Sequence, residues 1–396
     1  MLGWEEHLDA VRDDRQQPRI PTATVLRSVV GMFLARLGSL NALEGSRESR
    51  FWQQWLGRTM PSADTVGRVC ARMELEDVRG LHQQFYARIQ RMKAWPPLPG
   101  GLRAAILDGH ESHATYRRCC KGCLRRVVHT AQGDRIQYYH RHVTIELLGS
   151  EAVVLLDAEP IRPGEGEVPA GIRLLDRLLQ AYPRAFDVVL GDSLYADSGF
   201  FNYLLDHGKH AMAVLKDENR DLWKDAESLI CQIPPRVVQR GRRQCLQWDI
   251  EGFRTWPQVR QPVRVVRSVE TWTVRRQLDG RREEQRSAWT WVTTLPSRQA
   301  PTKVVVDLGH GRWKIENEGF NELVNRQHAD HVYKHEPRAM LVFCLLAMLC
   351  LNVFLIFYRR NLKPPLRARH NMLGIARRIT GELYSLISSG APRAPP

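Results

Sequence analysis

Cysteine is scarce in this chain and has no regular spacing. Eight cysteines in 396 residues do not suggest a disulfide scaffold, and they favour a reducing compartment. Residues 1–17 are charged and contain no apolar signal-peptide core, so we expect a protein that is not exported. The sequence therefore predicts a cytoplasmic protein and argues against a small secreted, disulfide-bonded class.

Acidic residues are also in short supply. Asp and Glu total 43 against 58 Lys and Arg, which gives a net charge of +15 and a pI near 9.8. Such an excess favours a polyanionic partner, because each neutralised phosphate releases condensed counterions. Nucleic acid is the usual partner of this kind, although an anionic membrane or a need for solubility would also use part of the excess. A hydrophobic fraction of 43% indicates a folded chain, and its length predicts two or three domains.

One long hydrophobic run is present. Residues 339–357 are almost uniformly apolar and are flanked by Arg338, Arg359 and Arg360. Length and composition alone permit a membrane span, but a helix buried on all sides of a large core has the same composition. We expect the buried helix and no membrane contact, because no other segment resembles a membrane protein.

The N-terminal quarter of the chain predicts helices. Residues 1–98 contain an apolar-periodic stretch after Pro21 and a capping serine, Ser62, ahead of a second amphipathic stretch. Short helices with basic faces are compatible with a helix-turn-helix-like DNA-binding domain, and equally with a plain helical cap. The Pro/Gly cluster at residues 96–101 breaks helix and predicts a boundary.

The next segment alternates between strand and helix patterns. Apolar, β-branched runs at 104–109, 135–149 and 152–161 predict strands, followed by a helix over 168–182. The sequence then predicts a strand, a helix and a strand at 186–193, 198–208 and 211–216. We therefore expect an α/β fold with a mixed sheet, its core formed by residues 102–216 and 301–360.

Residues 217–300 interrupt this alternation and predict a β-rich insertion domain. Between Arg236 and Arg286 there are thirteen Arg, no Lys and six acids, interleaved with tryptophans, and Asp279-Gly280 predicts a hairpin turn. Arg among aromatic residues suits phosphate binding and base stacking, although a sheet with Trp inward and Arg outward gives the same pattern. We expect DNA contact here. A basic tail, residues 361–396, ends the chain.

Three acids stand where a catalytic metal site would need them. Asp108 and Asp192 each end an apolar strand, and Glu316 lies on a predicted helix one turn after Arg312. Carboxylates at strand ends, with one more from a packed helix, can converge, and hard oxygen ligands with open positions suit Mg²⁺ or Mn²⁺. Two such ions about 4 Å apart support in-line phosphoryl transfer. Glu318 competes with Glu316, but the alignment of Arg312 with Glu316 favours the latter.

Four other polar residues are expected to have supporting or structural roles. His110 and Glu111 are expected to support Asp108. Asp157 and Asp197 are expected to act in turns or as helix caps.

Three stretches carry a family resemblance: LDGHE, GDSLYAD and RWKIENEGFNELVNRQ. With them the chain resembles the DDE transposases of bacterial insertion sequences, specifically the group with a β-rich insertion before the catalytic Glu. The resemblance implies an RNase H-like core that cleaves transposon-end DNA and transfers the 3′-hydroxyl strand into target DNA. It also implies two Mg²⁺ or Mn²⁺ ions, a homodimeric synaptic complex and a nucleoid-associated protein.

The resemblance assigns residues by motif position. Asp108, Asp192 and Glu316 would be the catalytic metal ligands, and Arg312 and Trp313, in the motif Arg-Trp-x-Ile-Glu, would contact DNA. The chain has Gly309 where the family often has Tyr, and it lacks the usual Lys after the Glu. Arg326 would take the role of that Lys. Alternatives are an RNase H-like nuclease without strand transfer and an inactive DNA-binding derivative.

A Cys/His-rich segment follows the first Asp. Cys120 and Cys123 have the spacing of a metal knuckle, and a His from the following strand could complete a tetrahedral Zn²⁺ site. There is no second Cys-x-x-Cys pair, so unligated thiols in a loop are the competing interpretation.

Overall fold

The computed structural model describes residues 4–57, 60–98, 100–149, 153–216, 220–276 and 280–388. Ten strands form one continuous mixed sheet. They are β1 Ala104–Thr115, β2 Leu124–Thr130, β3 Gly133–Leu148, β4 Val153–Pro160, β5 Val188–Gly191, β6 His210–Val214, β7 Arg236–Arg240, β8 Arg243–Phe253, β9 Val263–Arg275 and β10 Arg282–Thr293.

The centre of the sheet has the order β4-β3-β1-β5-β6. The pairs β3–β4 and β1–β3 are antiparallel, whereas β1–β5 and β5–β6 are parallel. All four residues of β5 are buried, as expected for a parallel strand covered on both faces. Three antiparallel strands followed by two parallel ones form the RNase H-like core that the sequence predicts.

Helices flank this sheet. Before it come α1 Trp4–Asp9, α2 Thr22–Leu34, α3 Leu40–Gly45, α4 Arg50–Leu56, α5 Ala63–Cys70 and α6 Leu75–Arg91. Between and after the strands come α7 Glu167–Ala181, α8 Ser198–Asp206, α9 Asp221–Ile230, α10 Thr302–Gly311, α11 Asn321–Gln327, α12 Pro337–Arg360, α13 Pro364–Arg369 and α14 Met372–Ser388. Ser62 caps α5 by accepting from the backbone N–H of Thr65, as its position predicts.

The hydrophobic run is the core helix α12. It packs on β4 and on the N-terminal helices α2, α5 and α6. Asn352, a polar side chain within its apolar stretch, is fully buried. Its amide accepts from the backbone N–H of Leu155 at 2.9 Å and donates to the Leu155 carbonyl at 2.7 Å. By length and composition the helix could cross a membrane, but most of it is covered by the rest of the protein. The interpretation as a buried helix is therefore favoured.

The arginine-rich segment continues the central sheet. Strand β10 pairs with β6 on one side and with β9 on the other, and β8 and β7 follow. The hairpin expected between β9 and β10 forms around Gly280, which has the positive φ of +70° that a glycine adopts freely. Asp279 of the predicted turn lies outside the described residues.

The helix predicted over 312–327 is irregular. Residues Ile315–Phe320 form a π-helical segment before α11 begins. Gly319 lies against the buried Glu146, where a Cβ would fall 2.3 Å from Oε2. π-Helical turns are rare and occur frequently at functional sites.

Candidate active site

Asp108 and Asp192 lie at the same level of two neighbouring parallel strands. Ile106 of β1 pairs with Leu190 of β5, and each Asp follows its partnered residue by two positions. Side chains two apart on a strand share a face, and neighbouring strands lie about 4.8 Å apart. The register therefore brings the two Asp residues to the same level of the sheet. Asp192 follows the end of β5 as predicted, but the strand-end prediction for Asp108 is wrong, because β1 continues to Thr115. Asp192 Oδ1 also accepts from the backbone N–H of Leu194 at 2.8 Å.

Arg312 links Asp108 to Glu316. Its Nη1 lies 3.2 Å from Asp108 Oδ2 and 3.2 Å from Glu316 Oε1, so the two carboxylate oxygens are no more than twice that distance apart. The Arg312 side chain is only 8% exposed, whereas that of Glu316 is 39% exposed. The π-helical segment thus presents Glu316 to solvent beside Asp108, with a buried cation between them.

The pKa of Asp108 is raised mainly because its carboxyl group is buried. Burial raises its pKa to about 6; the charge of Arg312 opposes this, and those of Glu167, Asp192 and Glu316 reinforce it. A nearby cation would stabilise the ionised form of such a buried carboxyl group and lower its pKa.

Glu167 is a fourth acid at this site that the sequence analysis missed. It begins α7, its side chain is 4% exposed, and Oε2 lies 2.7 Å from Arg141 Nη2. A Cβ on Gly109, the residue after Asp108, would fall 2.2 Å from Oε2. Burial raises the pKa of Glu167. Its sequence context, GEGEVP, resembles an ordinary helix start and gives no signal of a site.

Glu318 points to a different neighbour than Glu316 does. The Glu318 charge acts on the fully buried Glu146, whose pKa is raised first by burial and then by Glu318. Lys314 partly offsets this. The structure thus separates the two candidate acids and places Glu316, not Glu318, against Arg312 and Asp108.

The other residues expected to contact DNA lie at different distances from the acids. Trp313 is 38% exposed, and the Arg312 guanidinium lies over its ring at 4.9 Å from the centroid. Arg326 lies on α11, where its Nε is 3.9 Å from Glu322 Oε1. Glu322 is also near Arg36 of the N-terminal region. Trp313 therefore adjoins the acids, and Arg326 faces the N-terminal helices.

Of the other acids that the sequence singles out, Asp197 has its expected role, whereas Asp157 and Glu111 do not. Asp197 caps α8 by accepting from Phe200 N at 2.9 Å, as expected. The expectation for Asp157 is wrong: it is buried in β4 and paired with Arg79 and Arg177. Glu111 pairs with Arg126 at 2.8 Å instead of supporting Asp108. The pattern around Asp157 could not reveal partners that lie on distant helices.

Many arginines of the β7–β10 segment are held in ion pairs. The pairs are Arg240–Asp307, Arg243–Glu270, Arg260–Asp206, Arg264–Asp249, Arg267–Glu227 and Arg276–Glu283. The buried Glu270 also lies 2.6 Å from His310 Nε2 on α10. The contacts of Arg240 with Asp307 and of Glu270 with His310 join the added strands to α10, the helix that leads to Arg312. Part of the arginine pattern therefore has a structural role.

A second cluster joins the predicted Cys120 and Cys123 to two histidines. Both sulfurs lie 3.3 Å from His140 Nε2 on β3, and Cys123 Sγ lies 3.7 Å from His335 Nε2. The ligand atoms of these four residues all lie within 4.8 Å of one another. His335 was missed, because 212 residues separate it from Cys123.

The order of the central strands defines an RNase H-like fold, with one acid on β1, one directly after β5 and one on the π-helical segment. Comparison with protein families makes the class specific: the family model described as the transposase DDE domain matches residues 100–353. This is more than half of the chain, which therefore belongs to the DDE transposase family. No match is found among curated proteins.

Proposed function

We propose that this transposase cleaves DNA at transposon ends and transfers the freed 3′-hydroxyl strand into target DNA, with Asp108, Asp192 and Glu316 as its catalytic carboxylates. The observation that carries the proposal is the parallel pairing of β1 with β5, because Asp108 and Asp192 each lie two residues beyond the paired Ile106 and Leu190. Arg312 then contacts both Asp108 and Glu316. Residues far apart in sequence thereby contribute three oxygen donors to one place.

The donor set fits divalent cations. Three carboxylates with no sulfur or imidazole among them are the ligands that Mg²⁺ and Mn²⁺ prefer. In the structure the Arg312 guanidinium lies between two of the acids, Asp108 and Glu316. When bound, two such ions would activate the attacking oxygen and stabilise the leaving oxygen of the phosphodiester.

The chain's own residues bind and orient the DNA. Arg312 offsets part of the negative charge of Asp108 and Glu316 in the free protein. Once divalent ions supply that charge, its guanidinium is available to a phosphate at the cleaved end. The exposed face of Trp313 beside it offers a stacking surface for an unpaired base.

The remaining basic segments supply affinity away from the acids. Residues 1–98, the segment 217–300 and the tail 361–396 would contact the DNA ends and target, with Arg326 at the border between α11 and the N-terminal helices. Two copies of the chain would hold the two ends in a synaptic complex.

Nicking of DNA that carries the two ends flanking the coding sequence tests the proposal. The wild-type chain with Mg²⁺ should nick these ends and yield joined products with a target plasmid. Glu316→Gln should abolish both reactions while DNA binding persists. Glu318→Gln, two residues away, is the matched control and should retain activity.

The other outcomes separate the alternatives. Nicking without joined products would indicate a nuclease, and DNA binding without Mg²⁺-dependent nicking would indicate an inactive derivative. Equal activity of Glu316→Gln and wild type would refute the assignment of the third carboxylate.

A further inference from the structure

Three separate segments bring two sulfurs and two imidazoles together next to the catalytic sheet. Cys120 and Cys123 lie in the connection from β1 to β2, His140 lies on β3, and His335 lies in the connection from α11 to α12. Cys123 and His140 are buried. The four residues share no element, so no helix or strand periodicity accounts for their meeting.

The separations match a tetrahedral ion. Zn²⁺ at about 2.3 Å from sulfur and about 2.0–2.1 Å from nitrogen needs ligand atoms roughly 3.3–3.8 Å apart. The two sulfurs are 3.6 Å apart, both lie 3.3 Å from His140 Nε2, and Cys123 Sγ lies 3.7 Å from His335 Nε2. A sulfur–sulfur separation of 3.6 Å is well beyond a disulfide bond, which is about 2.05 Å long.

The backbone around the sulfurs supports bound thiolates. The N–H of Cys123 donates to the Cys120 carbonyl at 3.1 Å and closes the turn. The N–H of Cys120 donates to Cys123 Sγ at 3.2 Å. Gly122 packs against Pro337, where an added Cβ would fall 3.1 Å from Cγ. A backbone N–H that donates to sulfur, as that of Cys120 does, orients and stabilises a metal-binding thiolate.

We infer that Cys120, Cys123, His140 and His335 bind one structural Zn²⁺ ion. Two thiolates and two neutral imidazoles balance its charge and fill all four positions, which is the closed arrangement of structural sites. The ion ties the segment before α12 to β3 and to the β1–β2 connection.

The location gives the ion a role in the architecture of the active site. The helical segment with Glu316 is fixed at its start by the contact of Arg312 with Asp108. After α11 the chain reaches His335, so the ion fixes the same segment at its far end. Both anchors attach to the β1–β3 part of the sheet, which limits the movement of Glu316 relative to Asp108.

Metal content of the full-length protein, purified without chelators from zinc-supplemented medium, tests this. We expect about one Zn²⁺ per chain in the wild type. Cys123→Ser and His335→Ala should each lower retained zinc at least tenfold. Cys119→Ser, which removes an exposed neighbouring thiol, is the matched control and should keep its zinc.

Cobalt substitution tests the site in the wild-type protein, so its result does not depend on whether the variants fold. Wild-type protein freed of zinc should bind one Co²⁺ with visible bands of a tetrahedral site and a thiolate-to-cobalt charge-transfer band. Absence of these bands, or equal zinc loss from Cys119→Ser and Cys123→Ser, would overturn the inference. Asp192→Ala should keep its zinc, so failure of the proposed catalytic role would leave this result unchanged.

Discussion

Arg312 and Asp108 are 204 residues apart in sequence, and their side chains meet at 3.2 Å at the centre of the candidate active site. The same guanidinium nitrogen lies 3.2 Å from Glu316. One buried cation is therefore shared by two carboxylates, and we expect its removal to lower the stability of the fold.

Replacing Arg312 tests this dependence. Arg312→Ala removes the positive charge that opposes the raised pKa of Asp108, and it leaves two acids without their partner. We expect a loss of about 1–3 kcal/mol in the free energy of unfolding, measured by urea denaturation. Mg²⁺ should restore more stability to this variant than it adds to the wild type. If both proteins respond equally to Mg²⁺, Arg312 and the ion do not neutralise the same acids.

Gly109 is predicted to be intolerant of a side chain because Glu167 occupies the space. A Cβ would fall 2.2 Å from Glu167 Oε2, so Gly109→Ala should cost about 1–3 kcal/mol in unfolding free energy. Shortening the acid in the double variant Gly109→Ala/Glu167→Ala should recover part of this cost. Simple additivity of the two single changes in denaturant unfolding would contradict the proposed clash.

Glu270 should stabilise the protein in a pH-dependent way. Burial opposes its ionisation, but hydrogen bonds from His310 and Arg243 outweigh burial and lower its pKa to about 2, from an ordinary value of 4.5. A lowered pKa in the folded state gives stability that is present above pH 4.5 and lost as the pH falls towards 2. The contribution is on the order of 3 kcal/mol.

Comparison with Glu270→Gln measures this contribution. The difference in unfolding free energy between wild type and variant should be constant above about pH 5. It should shrink as the pH is lowered through 4 and 3. A difference that stays constant over this range would show that Glu270 is not held ionised by its partners.

Asn352 distinguishes a core helix from a membrane span. Asn352→Leu makes α12 more hydrophobic, which a membrane span would tolerate. In the structure it leaves the backbone N–H and carbonyl of Leu155 without their partner. We expect a loss of about 1–3 kcal/mol in unfolding free energy, and release of the wild-type protein from membranes by carbonate washing. Retention of the washed protein in membranes would contradict the core role.

The parts of the fold that could be predicted depend on local pattern. Asp108 and Asp192 each follow a short apolar run, and these two runs pair in parallel as β1 and β5. The proximity of the two residues follows from that pairing, although β1 continues past Asp108. Ser62 and Asp197 were recognisable as caps because capping uses neighbouring backbone groups. The burial of α12 followed from the lack of other membrane-like segments.

The features that the sequence did not predict depend on contacts between distant segments. Glu167 reaches Asp108 only because α7 starts beside β1, and His335 reaches Cys123 only after α11 and its connection are placed. The π-helical segment at Ile315–Phe320 has no periodic signature, since its wider turn depends on packing against Glu146. Asp157 was misjudged for the same reason, because its arginine partners come from α6 and α7.

Strand β10 shares its hydrogen bonds with β6 of the catalytic core and with β9 of the arginine-rich segment. A shared strand leaves no hinge between the two, and the pairs from β7 and β9 to α10 stiffen the junction further. If Asp108, Asp192 and Glu316 act as proposed, a duplex bound on the outer strands would lie at a fixed distance from these acids. The position of the cut along such a duplex would then depend on how far the arginine-rich strands extend beyond β6, and shortening β9 and β10 by two residues each would displace it.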